Sequence, residues 1–221
     1  MDKNTVKAEN QLNGFSNITF ENECGTGKRI MFVGNSITRH GVKPDIGWFN
    51  DWGMAASAKE KDYVHLTKAQ VLTVDENAAF CICQAAEWER GYLGEFDYSR
   101  FEPARDFGAD IVVMRLIENC RRDEFKPSRF KEEYKKLVDY LNGKSGLVII
   151  TSGFWKHPGD GILEEIAKET GADFVYLGDL GEEAEMRADG LFEHSGVAHH
   201  PGDKGMENIS KRIFEAIKKH I

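Results

Sequence analysis

The chain has 221 residues, of which 41% are hydrophobic and 30% are charged, as is typical of a folded protein rather than a disordered one. This length favours one large domain, which can bury a core without disulfides or a structural metal. The net charge of −8 weighs against nucleic acid or an anionic membrane surface as a partner, because both require a basic surface. The sequence shows neither an apolar run of membrane-spanning length nor the apolar segment of a signal peptide, so we expect a cytoplasmic protein.

The cysteines do not have the spacing of a zinc site. Such sites usually contain a C-x2-C pair and a matching second pair, whereas Cys81 and Cys83 form a C-x-C inside an apolar run. We therefore expect these two residues, together with Cys24 and Cys120, to be buried and reduced. The sequence predicts no metal and no cofactor.

Residues 1–27 are polar and rich in Asn, Glu and Gly, so we interpret them as an N-terminal extension with a hint of a strand at residues 18–20. The remaining residues, 28–221, are interpreted as one domain. Four continuous apolar runs predict strands, at residues 29–34, 110–116, 146–151 and 173–177. A weaker fifth candidate lies within residues 70–74 or 78–83. Continuous apolar runs are typical of strands that are covered on both faces of a parallel sheet.

Between and after these strands, apolar residues recur at spacings of three and four, which predicts amphipathic helices. One helix covers residues 130–141 with Ser128 placed to cap it, and a second covers 162–167 after the capping residue Asp160. A last helix carries an apolar stripe over residues 206–221. This alternation predicts an α/β fold, a three-layer sandwich with a mainly parallel central sheet and right-handed crossovers.

Polar residues follow the predicted strands at the sheet edge where α/β proteins bind ligands. Ser36 follows the first strand, Asn119 follows the strand at 110–116, and His200 precedes the last helix. A serine nucleophile needs an adjacent base, usually histidine, and the tetrahedral oxyanion needs positioned N–H donors. Taken singly, each residue also has a structural explanation, as a helix cap, a turn residue or a surface histidine. Together they indicate a serine hydrolase with Ser36 as the nucleophile.

Three segments resemble sequence blocks of the SGNH (GDSL-like) hydrolase superfamily. The sequence GNSIT at 34–38 resembles the first block, Glu118-Asn119 is similar to the third, and His200-Pro201 is similar to the fifth. The resemblance implies a flavodoxin-like fold over residues 28–221 and hydrolysis of an ester or thioester through an acyl-enzyme. It also implies site roles: Ser36 as nucleophile and amide donor, Asn119 as side-chain donor to the oxyanion, and His200 as base. The chain has no G-x-S-x-G motif, which separates it from the α/β-hydrolase fold.

The chain departs from the family pattern at the supporting residues. The second block supplies a glycine amide to the oxyanion hole, and here we assign that role to Ala86. The family's orienting Asp stands three residues before the histidine, where this chain has Val197. That acid fixes the tautomer of the imidazole and stabilises the imidazolium. Glu193, seven residues before His200, is the candidate replacement, and a backbone carbonyl is the alternative acceptor.

Several other residues are candidates for substrate contact, each with a structural alternative. Trp48 and Trp52, in a loop after Ser36, either line a sugar or acyl pocket or cover the sheet. Trp88 lies among charged residues and is assigned to a pocket wall. Arg115 either meets a substrate carboxylate or forms a structural ion pair.

The adjacent histidines allow two further interpretations. His199 could compete with His200 as the base, although the following proline favours His200 by family pattern. A metal site formed by His194, both of these histidines and Asp203 ranks behind the serine hypothesis, because helical metal sites use H-x3-H spacing.

The resemblance therefore favours an esterase that acts on a small acyl group, such as acetate on a carbohydrate, with a small-molecule ester as the partner. A thioesterase or a lysophospholipase is the nearest variant. The loss of the family Asp at Val197 supports an alternative, a catalytically weak or inactive carbohydrate- or ligand-binding module on the same fold.

Overall fold

The structure is a computed structural model that describes residues 17–143 and 146–221, and in these residues six strands form one sheet. The strands in chain order are β1 (Ile18–Glu21), β2 (Arg29–Gly34), β3 (Ala79–Gln84), β4 (Ile111–Arg115), β5 (Leu147–Thr151) and β6 (Asp173–Val175). Their order in the sheet is β1-β3-β2-β4-β5-β6. All neighbouring strands run parallel except β1, which is antiparallel to β3. The predicted α/β class with a mainly parallel sheet is confirmed.

Seven α-helices occur in the described part of the chain. They are α1 (Tyr63–Leu72), α2 (Ala86–Gly91), α3 (Glu102–Asp106), α4 (Pro127–Asn142), α5 (Asp160–Thr170), α6 (Ser195–Ala198) and α7 (Asp203–Ile217). Of the two candidates for the fifth strand, the one at 78–83 is confirmed by β3, whereas residues 70–72 belong to α1. None of these helices combines the length and apolarity needed to cross a bilayer.

Each central strand buries side chains on both faces of the sheet. In β2, Met31 and Val33 pack into one apolar cluster, which includes residues of α4 and α5. Ile30 and Phe32, which alternate with them, pack into a second cluster that includes residues of α1 and α7. Both clusters exclude water from the strands, which accounts for the continuous apolar runs in the sequence.

Two predicted helix caps are corrected by the structure. Ser128 is not a cap, because α4 already begins at Pro127, a residue well suited to a first helical turn. Asp160 is the first residue of α5 rather than its N-cap. Its carboxylate accepts hydrogen bonds from the backbone amides of His157 at 2.8 Å and Gly153 at 3.2 Å. Asp160 therefore holds the loop that precedes the helix.

The sheet begins inside the segment interpreted as an extension. β1 pairs with β3 from Ile18 opposite Cys83 to Glu21 opposite Phe80, so the sheet includes residues before position 28. Residues 1–16, the rest of that segment, lie outside the described residues.

All four cysteines are free thiols. Cys81, Cys83 and Cys120 are buried as expected. The expectation is wrong for Cys24, which is exposed in the turn that follows β1.

Candidate active site

A tight turn after β2 presents Ser36 at the carboxyl edge of the sheet. The carbonyl of Asn35 accepts hydrogen bonds from the amides of Thr38 and Arg39, both at 3.0 Å, which closes the turn. Gly34 is required here because a β-carbon at this position would overlap the Thr38 side chain. The turn leaves Ser36 half-buried, although the residues on both sides of it are buried.

The hydroxyl of Ser36 meets the ring of His200. Ser36 Oγ lies 2.8 Å from His200 Nε2, and His200 Nδ1 lies 2.7 Å from the backbone carbonyl of Gly196. A carbonyl can only accept a hydrogen bond, so Nδ1 carries the ring proton and Nε2 presents its lone pair to the Ser36 hydroxyl. This is the tautomer in which histidine can take the proton of a serine nucleophile.

The backbone around His200 fixes where its ring lies. The His200 carbonyl accepts from the amide of Ala188 at 2.9 Å, and its amide donates to the carbonyl of Val197 at 3.0 Å. Burial lowers the pKa of His200 from its ordinary 6.5 to about 4, outweighing the hydrogen bond to Gly196. His200 is therefore a neutral base near neutral pH.

The structure does not bring Glu193 to His200, and the assignment of Glu193 as the orienting acid is corrected. Glu193 is exposed to solvent. His200 Nδ1, which would donate to an orienting acid, donates instead to the carbonyl of Gly196. Val197, at the position of the family acid, is fully buried in a small apolar cluster with Trp48 and Ala188. The support for the base is thus a backbone carbonyl, the alternative acceptor considered from the sequence.

A buried polar network lies directly behind the turn that holds Ser36. Arg115, which is fully buried, forms an ion pair with Glu118 and donates to Asn35 Oδ1 at 3.2 Å. Asn35 Nδ2 donates to Glu118 at 2.6 Å and to Glu89 at 3.1 Å. Arg115 therefore forms a structural ion pair, and its assignment to substrate binding is corrected. The network fixes the residue immediately before Ser36 from several directions.

Asn119 lies just beyond the end of β4, half-buried beside this network. Its Nδ2 donates to Glu89 Oε2 at 2.5 Å, and its Oδ1 lies 3.4 Å from Arg90 Nη2. A primary amide has two N–H donors, so one remains available to a ligand.

Two backbone amides complete the set of candidate oxyanion donors. The amide of Ser36 has no acceptor among residues 17–143 and 146–221. Ala86 begins α2, and the first amides of a helix have no intrahelical acceptor. The start of α2 is joined to the end of β2 by a 2.6 Å hydrogen bond from the Ala85 amide to the Gly34 carbonyl. The structure thus brings the backbone at Ala86 next to the turn that holds Ser36.

Two of the tryptophans assigned to substrate contact lie in the core instead. Trp48 is fully buried and packs edge-on against Trp52 at 6.0 Å. Trp52 is half-buried and donates to the Ala56 carbonyl at 3.0 Å. Trp88 is fully buried against Phe130 and Tyr134. The assignments of Trp48 and Trp88 to a pocket wall are therefore corrected, since neither ring is accessible.

Two residues near the base were not predicted. The Trp155 ring meets His200 edge to face at 5.8 Å and stacks on His199 at 5.2 Å. His40 is half-buried near the same site, and its charge contributes to the lowered pKa of His200. The sequence signal for Trp155 is its position shortly after the end of β5, at the sheet edge where ligands bind.

The other histidine hypotheses are not supported by the geometry. His199 faces Trp155 and Asp189, and its Nδ1 lies 3.7 Å from the Asp189 carboxylate. Asp203 instead accepts from Ser57 and Lys61. Within the described part of the chain, no group of three or more His, Cys, Asp or Glu side chains is placed to hold a metal ion.

No protein-family model matches the chain, and no curated protein matches its sequence. Several solved structures are similar in fold. Esterase EstA from Pseudoalteromonas sp. superposes with a TM-score of 0.61 at 13% identity, covering 87% of this chain and 97% of that chain. An acetyl xylan esterase, AlAXEase, gives 0.57 at 15% identity, with coverage of 86% and 99%. A two-domain esterase active on acetylated mannans gives 0.57 at 17% identity, with coverage of 90% and 50%, so this chain spans half of its length.

These similarities are structural, because the sequence identities are low. They confirm the resemblance to the SGNH hydrolase fold at the level of the fold. In this chain, Ser36 contacts His200, and the other ring nitrogen of His200 lies against a backbone carbonyl.

Proposed function

We propose that this protein is an ester hydrolase that removes a small acyl group, such as an acetyl group on a carbohydrate, through an acyl-enzyme on Ser36. The single observation that carries the proposal is the 2.8 Å contact between Ser36 Oγ and His200 Nε2, with the Nδ1 proton held by Gly196. Hydrogen-bond contact between a hydroxyl and an oriented neutral imidazole is the arrangement that activates a serine nucleophile.

In the first half of the proposed reaction, His200 Nε2 takes the proton of Ser36 as Oγ attacks the ester carbonyl carbon. The carbonyl oxygen becomes an oxyanion, for which the amides of Ser36 and Ala86 and the free N–H of Asn119 are the proposed donors. Collapse of the tetrahedral intermediate breaks the bond to the alcohol oxygen. His200 then gives its proton to the departing alcohol, which leaves the acyl group on Ser36.

In the second half, a water molecule replaces the alcohol. His200 takes a proton from this water as it attacks the acyl carbon, and then returns a proton to Ser36 Oγ as the free acid leaves. In both halves of the reaction, the Gly196 carbonyl stabilises the protonated ring of His200 by a hydrogen bond, but this carbonyl does not carry the full negative charge of a carboxylate. We therefore expect slower turnover than a carboxylate-supported histidine would give.

The proposed substrate class is supported by the solved structures that share the fold. Two of them are an acetyl xylan esterase and an esterase active on acetylated mannans. The donor set at Ser36 is compatible with any acyl ester, so the proposed preference for a small acyl group rests on these two structures.

The proposal is tested by the rates with which the purified protein hydrolyses p-nitrophenyl acetate, butyrate and octanoate, together with acetate release from acetylated xylan and mannan. We expect Ser36-dependent hydrolysis that is fastest with acetate and slows as the acyl chain lengthens. Rates equal to those of buffer with all of these esters would contradict the proposal.

A second candidate function is a ligand-binding module with little or no turnover. The observation that favours it is that, within the described residues, His200 Nδ1 meets a backbone carbonyl and no acid. Burial also lowers the pKa of His200 to about 4. The two functions predict different results for ligand binding and for acetate release. A binding module would bind acetylated oligosaccharides equally well with and without the Ser36 hydroxyl and would release no acetate.

We expect Glu193→Gln to leave kcat/KM for p-nitrophenyl acetate within about twofold of the wild type, because Gly196 already accepts the Nδ1 proton. Steady-state kinetics of the two proteins give this comparison directly. A decrease of about tenfold or more would return the orienting role to Glu193 and would mean that its loop moves towards His200 during turnover.

The pH dependence of kcat/KM should reflect the lowered pKa of His200. The base acts in its neutral form, and a pKa of about 4 keeps it neutral to lower pH than the ordinary 6.5 would. The groups that set this value are the Gly196 carbonyl, His40, Glu118 and Arg115, with burial as the largest cause. We therefore expect the acid limb of the profile to have its midpoint near pH 4.

The measurement is kcat/KM from about pH 3.5 to about pH 8, with recovery of activity on return to neutral pH as the control for unfolding. An acid limb centred at the ordinary value of 6.5 would show that His200 is more exposed to solvent, or more strongly paired, than the structure has it.

A further inference from the structure

Glu89 is a buried carboxyl group that the proposed mechanism does not use. Its side chain is 1% exposed and lies on α2, next to Trp88 in the chain. Among the described residues it has no ion pair with a lysine or arginine, because the nearby Arg115 is paired with Glu118. Burying a carboxyl group without a cation is costly, so its remaining contacts indicate what it does.

Those contacts are two asparagine side chains of the proposed site. Glu89 Oε1 accepts from Asn35 Nδ2 at 3.1 Å, and Glu89 Oε2 accepts from Asn119 Nδ2 at 2.5 Å. The backbone amide of Asn119 also lies 3.4 Å from Oε1. One carboxyl group therefore joins the residue before the nucleophile to the candidate oxyanion donor.

The geometry points to Glu89 as a positioning residue that holds the Asn119 amide so that its second N–H faces the oxyanion. This inference rests on the proposed function and deepens it. Asn35 fixes one oxygen of the carboxyl group, and the other oxygen takes one of the two Nδ2 hydrogens of Asn119. The planar amide then has one orientation, and its second hydrogen has one direction. Without Glu89, the Asn119 amide could rotate or exchange its nitrogen and oxygen.

The charge on Glu89 does not argue against this role. Burial and the neighbouring charge of Glu118 raise the pKa of Glu89, which favours its uncharged form. An uncharged carboxyl group still accepts a hydrogen bond from Asn119 and opposes the developing oxyanion less than a carboxylate would.

The inference is tested with Glu89→Gln, which keeps the size of the side chain but replaces one of its two acceptor oxygens with an N–H donor, so Asn35 and Asn119 no longer both have an acceptor. We expect kcat for p-nitrophenyl acetate to fall by about 10- to 100-fold while KM stays within about twofold, as for loss of an outer residue that orients a catalytic group. The matched control is Glu133→Gln, which changes a second buried carboxyl group, 4% exposed, that pairs with Lys136 and Arg129 on α4. This control should leave kcat unchanged.

A positioning role and a general loss of structure are separated by repeating the substitution in the Asn119→Ala background. If Glu89 acts through Asn119, the second substitution should lower kcat by less than about threefold there, because its target has been removed. An equal decrease in both backgrounds, or a wild-type kcat in the single variant, would overturn the inference. If Glu89→Gln does not fold, Glu89→Asp allows the same comparison, since its shorter side chain withdraws the acceptor from Asn119.

Failure of the proposed function gives a different result. If the wild type shows no Ser36-dependent hydrolysis, both the proposed function and the inference are overturned. If the wild type hydrolyses the ester and Glu89→Gln does so equally well, the inference alone is overturned.

Discussion

Replacing Ser36 with alanine is expected to lower kcat for p-nitrophenyl acetate by about 10³-fold or more, to a rate that the oxyanion donors and binding alone supply. The reason is that Ser36 Oγ is the one hydroxyl in contact with His200 Nε2 among the described residues. Without it, no covalent acyl intermediate can form, and water must attack the ester directly. The measurement is steady-state hydrolysis by wild type and variant, with unfolding curves to show that both are folded.

The matched control is Ser152→Ala, because Ser152 also follows a strand of the sheet. Its hydroxyl accepts from the amides of Leu177 and Gly178 and does not contact a histidine. We expect this control to lose stability, since two buried amides lose their acceptor, while the folded protein keeps its activity. If Ser36→Ala retained the wild-type rate, the nucleophile would have to be another residue.

His200→Gln should have a comparable effect on kcat, since it removes the acceptor of the Ser36 proton. The effects of substituting residues that act as a unit do not add. The kcat of the double variant with Ser36→Ala should therefore lie within about threefold of the kcat of either single variant. Independent losses that multiply in the double variant would mean that the two side chains do not act on the same proton.

The second large effect is expected on stability. Arg115→Met should lower the free energy of unfolding by about 3–5 kcal/mol, because it leaves the buried Glu118 without its cation. Asn35 loses a donor at the same time. For a chain of this size, such a loss corresponds to a decrease in Tm of roughly 6–20 °C. Denaturant unfolding and differential scanning calorimetry measure both quantities.

An exposed ion pair provides the control for Arg115. Arg121 lies on the surface and pairs with Asp123 and Glu124, so Arg121→Met should leave the unfolding midpoint close to that of the wild type. Adding Glu118→Gln to Arg115→Met should recover part of the stability, since the uncompensated charge is then removed. Equal unfolding midpoints for Arg115→Met and the wild type would show that the network behind the nucleophile is open to solvent.

Much of the fold could be predicted because burial leaves a direct trace in the sequence. The strands β2, β4 and β5 bury nearly all of their residues, so each gives a continuous apolar run in the sequence, and the helices between the strands follow from their apolar spacing. β1 was harder to predict, because this edge strand is only half-buried along its length and the residues that flank it in the sequence are polar. Its pairing with β3 depends on a partner that lies about 60 residues later in the chain.

The proposed nucleophile and base could be named from the sequence because they stand at fixed positions relative to elements, Ser36 after β2 and His200 before α7. The group that accepts the Nδ1 proton of His200 could not be predicted in the same way. A backbone carbonyl is present at every residue, so nothing in the sequence distinguishes Gly196 as the acceptor. Glu193 was the natural candidate by residue type, but its loop keeps it at the surface.

The corrected assignments of Trp88 and Arg115 have a common physical reason. Trp88 has charged neighbours in the sequence, but on a helix such neighbours point in different directions, and its ring faces the core while Arg90 faces solvent. Arg115 ends a buried strand, where an unpaired charge would be costly, and its partner Glu118 stands three residues later. The signal for a structural ion pair was therefore present in the spacing of these two residues.

The central claim is that His200 activates Ser36 as a nucleophile, and covalent capture tests it most directly. The measurement is treatment of the folded protein with a fluorophosphonate, followed by mass spectrometry of its peptides. We predict a single phosphonyl adduct on Ser36, which is absent from Ser36→Ala and forms much more slowly in His200→Gln. An adduct on another residue that persists in Ser36→Ala, or no adduct on the folded wild type, would contradict the claim.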